Sequence, residues 1–304
     1  MKTIKNLLIV FLQIFTIISA QQKSQKTYCN PMDIGYRYNF EQIDERISYR
    51  SAADPVIVTF KDSYYLFATI SNGWWKSKDM RNWEFVTPSM WPMEDNCAPA
   101  VLVVKDTMLI YQSTFERRPI LYTTQPETGK LKFYNRYMPW RPKEIGSWDP
   151  ALFYDEDLNK YFMYWGSSNM YPIYGCELDH KRQLAYKDDN VYEFIYLDPD
   201  EYGWERFGLN HSDEIDPFIE GAWMTKYNGK YYLQYSAPGT EYNVYANGTY
   251  VGNNPLGPFT YAPYNPISYK PGGYVQGAGH GNTFQDLHGN YWNTGTPWIA
   301  VNWN

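Results

Sequence analysis

One phrase is written five times along this 304-residue chain, as an apolar strand, a tight polar turn and an aromatic strand. The first copy opens Ala53-Asp54-Pro55, runs through Val56-Ile57-Val58, turns at Lys61-Asp62-Ser63 and returns as Tyr64-Tyr65-Leu66-Phe67. The second runs from Ala98-Pro99 and turns at Lys105-Asp106-Thr107; the third runs from Trp148-Asp149-Pro150 and returns as Tyr161-Phe162-Met163-Tyr164. The fourth begins Glu220-Gly221 and turns on Asn228-Gly229, a strong hairpin signal between two such runs. The fifth runs from Gly279-His280 through a turn around His288-Gly289-Asn290. A unit that recurs in this way buries its apolar faces only against its neighbours, so the pattern predicts a repeat architecture.

The leading positions 54, 98, 149, 220 and 280 are separated by steps of 44, 51, 71 and 60 residues. A four-stranded propeller blade needs roughly 40 to 50 residues. Each step therefore holds one blade, and the two long steps imply insertions, read here as 198–217 and 242–271. The outer half of the first blade is legible from Trp74 to Phe85, and no long amphipathic helix stands out. The expectation is an all-β, five-bladed β-propeller over residues 21–304, with its fifth blade incomplete at the C-terminus. A β-sandwich would also be all-β, but it gives no reason for acids to recur at the head of one strand per repeat. In a propeller those strands line the central channel, so Asp54, Asp149 and Glu220 meet at one mouth.

Composition narrows the partners. A net charge of -6 and a pI near 5.3, with no basic cluster, argue against nucleic acid. An aromatic content of 19% supplies cores for many short strands and flat surfaces for sugar rings. Residues 1–20 carry Lys2 and Lys5, an apolar run from Leu7 to Ile18 and then Ser19-Ala20, the pattern of a secretory signal cut after Ala20. No other segment is long and apolar enough for a membrane span, so a secreted protein, periplasmic or extracellular, without an anchor is expected. The three cysteines, Cys29, Cys97 and Cys176, match no metal spacing and read as buried thiols.

Taken singly, Asp-Pro is an ordinary strand opening, the carboxylate bonding local backbone and the proline sitting where no ladder donor is needed. Two such openings in matched repeats, with Glu-Gly in a third, favour a shared chemical centre. Asp216-Pro217 lies just before the fourth repeat and belongs to the insertion.

With Ala53-Asp54-Pro55, Ser77-Lys78-Asp79 to Trp83, Ala98-Pro99, Trp148-Asp149-Pro150, Glu220-Gly221, Gly257-Pro258-Phe259 and Gly279-His280 in this order, the chain resembles glycoside hydrolase family 43 over residues 29–304. The resemblance implies that Asp54 is a general base, Glu220 a general acid and Asp149 the residue that tunes the acid's pKa and orients substrate. An inverting glycosidase needs one carboxylate to activate water and one protonated carboxyl to serve the leaving oxygen. A third carboxylate nearby raises the acid's pKa by like-charge repulsion. The resemblance also places His280 in the channel, near substrate and near a structural calcium or water, although the chemistry itself needs no cofactor. Trp74 and Trp148 are the aromatic residues expected to meet sugar.

The function so implied is a monomeric, exo-acting inverting glycosidase releasing terminal pentose, α-L-arabinofuranose first, from plant-type poly- or oligosaccharide. A β-xylosidase or exo-β-galactosidase fits the same scaffold, because specificity lies in loops the motifs do not report. A non-catalytic carbohydrate-binding propeller is the alternative of a different class. The fifth copy has only two clear strands before Asn304, where the family continues, so the chain reads as truncated; Tyr28 to Tyr38 is the candidate for a closing outer strand.

Overall fold

Val56-Ile57-Val58 and Ala100-Val101 are continuous apolar runs rather than alternating ones, which suits strands covered on both faces. The computed structural model describes residues 34, 38–42, 47–50, 52–92, 97–113, 119–136, 148–240, 243–270, 272–273 and 275–299. The leader and most of the expected closing strand lie outside them.

A hairpin of β1 (Tyr38–Gln42) and β2 (Ile47–Arg50) comes first. The first blade is the antiparallel meander β3 (Val56–Phe60), β4 (Ser63–Phe67), β5 (Trp74–Ser77) and β6 (Trp83–Val86). The second is β7 (Pro99–Val104), β8 (Thr107–Gln112), β9 (Ile120–Thr123) and β10 (Lys132–Asn135). In the third, β11 (Ala151–Asp155), β12 (Lys160–Trp165) and β13 (Ile173–Asp179) are followed by β14 (Ala185–Tyr186) and β15 (Tyr192–Ile195), which both pair with β13. The fourth is β16 (Glu220–Tyr227), β17 (Lys230–Ala237), β18 (Ala246–Gly252) and β19 (Phe259–Tyr261).

The fifth copy forms two short pairs instead of a four-stranded sheet: β20 (Val275–Gly279) with β23 (Thr296–Ile299), and β21 (Thr283–Gln285) with β22 (Tyr291–Asn293). Among the described residues there are thus four complete blades followed by two separate two-stranded pairs: the fifth copy is incomplete, as expected, but the count of five blades is corrected to four. The inner strands still touch in a ring, because β21 contacts both β16 and β3. Asn282 makes the last joint: its fully buried amide accepts from Ile57 N at 2.9 Å and donates to Ile57 O at 2.8 Å.

Apolar packing lies between blades, as the repeat pattern requires. One cluster joins the first and second blades through Val56, Phe67, Trp74, Val101 and Ile110. A second joins the second and third through Leu109, Tyr111, Met163 and Tyr174, and a third joins the third and fourth through Phe162, Tyr164, Met224 and Leu233. The reading of 242–271 as an insertion is wrong, since that stretch holds β18 and β19, the outer half of the fourth blade. Its strand was hidden because Asn247-Gly248-Thr249 looks like a loop, whereas Asn247 is fully buried and bonds Ala278 O and Asn293 Oδ1. Residues 198–217 do form an added segment. It packs on the fourth blade by stacking Tyr202 on Tyr261 at 3.8 Å and donating Trp204 Nε1 to Tyr261 Oη.

Candidate active site

At the head of each inner strand one residue takes left-handed backbone: Asp54 (φ 54°), Ala98 (43°), Asp149 (48°), Gly221 (65°) and His280 (40°). Such geometry costs a non-glycine residue about 1–2 kcal/mol, and its recurrence marks a built feature of the repeat. The residue before it pairs with the end of the second strand, as Thr69 N donates to Ala53 O, Ser113 N to Cys97 O and Gly166 N to Trp148 O. Glu220 pairs with Ser236 and Gly279 with Thr296 in the same way. Glu220 is therefore the counterpart of Ala53, Cys97 and Trp148, and Gly221 is the counterpart of Asp54 and Asp149. The acids do not share one repeat position; the third enters from one residue earlier, beside the irregularity between Glu220 and Trp223.

Gly221 is required there. A Cβ on it would lie 2.9 Å from Ser236 Oγ and 3.0 Å from the His280 ring, and its N–H reaches Asp149 Oδ2 at 3.3 Å.

The four functional groups converge and are nearly closed off from solvent. Asp149, Glu220 and His280 are 5%, 8% and 8% exposed, and ligand atoms of the three lie within 4.8 Å of one another. His280 Nδ1 sits 3.1 Å from Asp54 Oδ1 and 3.6 Å from Asp149 Oδ2. Asp54 Oδ2 accepts from Thr69 Oγ1 at 2.5 Å, and Asp149 Oδ1 accepts from Ser113 Oγ at 3.2 Å. Glu220 accepts from Ser167 Oγ at 3.2 Å and from the hydroxyl of Tyr245. Gly279 makes room for that tyrosine, because a Cβ there would stand 2.5 Å from its ring.

Burial raises the Glu220 carboxyl to about 8, helped by the charges of Asp149 and Asp54 and opposed by His280 and the Tyr245 hydrogen bond. Burial also raises Asp149 to about 7, with the Asp54 charge adding and a hydrogen bond with Glu220 opposing. The two carboxyls titrate as a pair that holds a proton near neutrality. Repulsion from Asp149, expected to be the main cause, comes second to desolvation. Cys97, half-buried beside this group, is pushed up to about 12 by burial and by Asp54 and remains a thiol.

The structure brings together Asp54, Asp149, Glu220 and His280 and leaves Trp74 out. Trp74 is fully buried, stacked on Phe67 at 5.3 Å, with Nε1 donating to Pro126 O at 3.0 Å. As the first residue of the third strand it faces the second blade, not the channel, so it is a core residue and not a pocket wall. Trp148 is half-buried and holds the place in the third blade that Glu220 holds in the fourth. For a calcium ion, Asp149, Glu220 and His280 are a poor donor set: calcium takes six to eight oxygens, and here one donor is an imidazole and one a carboxyl that holds a proton.

What the sequence reading missed is a collar of hydroxyls. Thr69, Ser113 and Ser236 close the second strands of the first, second and fourth blades and Thr296 opens β23, and each accepts the N–H of the left-handed residue in the next repeat round the ring: Ala98 (2.8 Å), Asp149 (2.8 Å), His280 (2.8 Å) and Asp54 (2.8 Å). The third repeat has Gly166 at this place, and there the Gly221 N–H turns to the Asp149 carboxylate. A Ser or Thr closing the aromatic strand in three copies, with Thr296 a few residues past it in another, was the available signal.

The family model described as "Glycosyl hydrolases family 43" matches residues 45–294. A "Xylosidase/arabinosidase" of Bacteroides ovatus is 31% identical over 159 residues, 43% of this chain and 44% of that protein. "Xylosidase/arabinosidase 43A" of Humicola insolens is 34% identical over 143 residues, 37% of this chain and 40% of that protein. The matches thus span less than half the length of these curated relatives. The crystal structure of "a thermostable family-43 glycoside hydrolase" superposes with a TM-score of 0.66 at 23% identity, covering 88% of this chain and 87% of that one, a likeness of fold.

Proposed function

Because this chain belongs to glycosyl hydrolases family 43, we propose that it is an inverting glycosidase that removes terminal pentose units, α-L-arabinofuranose in first place, from plant-type glycans. The observation that carries this reading is the convergence of a proton-holding carboxyl pair, Asp149 and Glu220, with a separate carboxylate, Asp54, bonded by Thr69 and beside His280. In the proposed reaction Glu220 gives its proton to the leaving oxygen as the bond to the anomeric carbon breaks. A water attacks that carbon from the opposite face, and Asp54 takes the water's proton. Asp149 holds the proton on the pair until it is used and is fixed by Ser113 and the Gly221 N–H. No step uses a metal.

Terminal β-xylose is the second reading, favoured by the paired names of the two relatives. Trp148, by its place beside Asp149, is the aromatic surface assigned to the sugar, and His280, beside Asp54 and Asp149, is the second residue assigned to it. The hairpin of β21 and β22 is read as the inner half of a fifth blade. The first twenty residues are read as an export signal, which places a monomeric enzyme outside the cytoplasm.

Aryl α-L-arabinofuranoside, β-xyloside and β-galactoside, each incubated with parent and Glu220→Gln protein, test the proposal. Release from one pentoside that is lost in the variant supports it. Binding without release from any of the three would leave a carbohydrate-binding protein instead. NMR of the first anomer formed checks inversion, and a retained anomer removes Asp54 from the base role.

A further inference from the structure

The hydroxyl collar joins blades, but the destinations of its protons differ, and that difference bears on catalysis. A hydroxyl has one proton to donate. In Thr69 the oxygen already accepts the Ala98 N–H at 2.8 Å, and the proton is directed at Asp54 Oδ2 at 2.5 Å. Ser113, at the same place in the second blade, sends its proton forward to the next blade's carboxylate, Asp149 Oδ1. Ser236 has His280 ahead of it and sends its proton to Asn247 Oδ1 at 2.7 Å, while Thr296 sends its proton to His280 O at 3.2 Å. Thr69 meets no carboxylate ahead, because the left-handed residue of the second blade is Ala98. Its proton turns back to the acid of its own blade.

We propose that Thr69 is a positioning residue for the base: it locks the plane of the Asp54 carboxylate so that a free lone pair meets the attacking water, and Ala98 is the residue that leaves its proton free to do so. The inference rests on reading Asp54 as the base. Three contacts fix Asp54, with Oδ2 held by Thr69, Oδ1 beside His280 Nδ1, and the Asp54 N–H held by Thr296. A carboxylate turned about its bond would present the wrong lone pair, and misplacement of that order costs about 10- to 100-fold in rate.

The test uses the full chain with Thr69→Val, Thr69→Ala, Thr69→Ser and Asp54→Asn, each on an aryl pentoside with a good leaving group and on an unactivated oligosaccharide. Water activation does not depend on the leaving group, so Thr69→Val is expected to lower kcat by about tenfold on both substrates with KM within about twofold, and Thr69→Ser to restore most of it. Thr69→Ala, which crowds nothing, gives the same readout if the valine does not fold. Turnover of the Val and Ala variants within twofold of parent overturns the inference, as does a deficit confined to KM or to the unactivated substrate. If Asp54→Asn keeps the parent's turnover, the base assignment itself fails; if only Asp54→Asn is impaired, the assignment stands and the role of Thr69 does not.

Discussion

At the scale of single residues, the site is a set of protons with assigned places. Glu220→Gln removes the proposed acid and is expected to lower kcat on unactivated oligosaccharide by about 10³-fold, with a smaller loss on aryl glycosides whose leaving group needs no proton. The alkaline limb of kcat/KM is expected near pH 8, since Glu220, raised to about 8, loses its proton there. Tyr245→Phe removes a hydrogen bond that lowers the Glu220 pKa, so this limb should move to higher pH; Asp149→Asn removes a like charge and should move it lower. A pH–rate series on the three proteins checks both signs. Asp54 and Asp149 were legible because Asp-Pro repeats in two copies. Glu220 was found by the same pattern although it sits one residue out of phase, since Gly221 alone accepts both the left-handed backbone and the contact with His280. Trp74 was misread because a sequence shows that a tryptophan starts a strand but not which blade face it covers.

Elements carry a second kind of pH dependence. In the added segment, Glu205 is fully buried, accepting from Tyr235 Oη at 2.5 Å and from Asp198 N at 2.8 Å. Burial raises it to about 7 from 4.5. A raised acid binds its proton more tightly when folded, so its contribution is fully present below about pH 4.5 and is lost as pH rises through about 7. The thermal midpoint of the parent should fall between pH 5 and 8 more steeply than that of Glu205→Gln, measured by circular dichroism. Hairpins were the most legible elements: Asn228 and Gly229 both take positive φ, as their turn demands. The strand through Asn247 was not, because its polar side chains are paid for by partners distant in sequence, which no local pattern reveals.

For the whole molecule, closure of the ring rests on a few long-range bonds instead of a fifth full sheet. Asn282→Ala strips both partners from the buried Ile57 peptide groups and is expected to cost roughly 2–4 kcal/mol in urea unfolding, with no change of KM in the fraction that stays folded. The propeller arrangement was visible in the repeat, and so was the incompleteness of the fifth copy, with only two clear strands before Asn304. Its division into two separate pairs was not, since β20, but for Gly279, and β23 lie outside the phrase. Thr296 lends the collar a consequence in time. It holds the N–H of Asp54 from 242 positions away, so a growing chain that already contains all three acids has no such clamp on the proposed base until Thr296 is made. The proposed chemistry thus waits on the emergence of Thr296, and a ribosome-bound chain that ends before Thr296 should sample the fold of its early blades while remaining idle toward sugar.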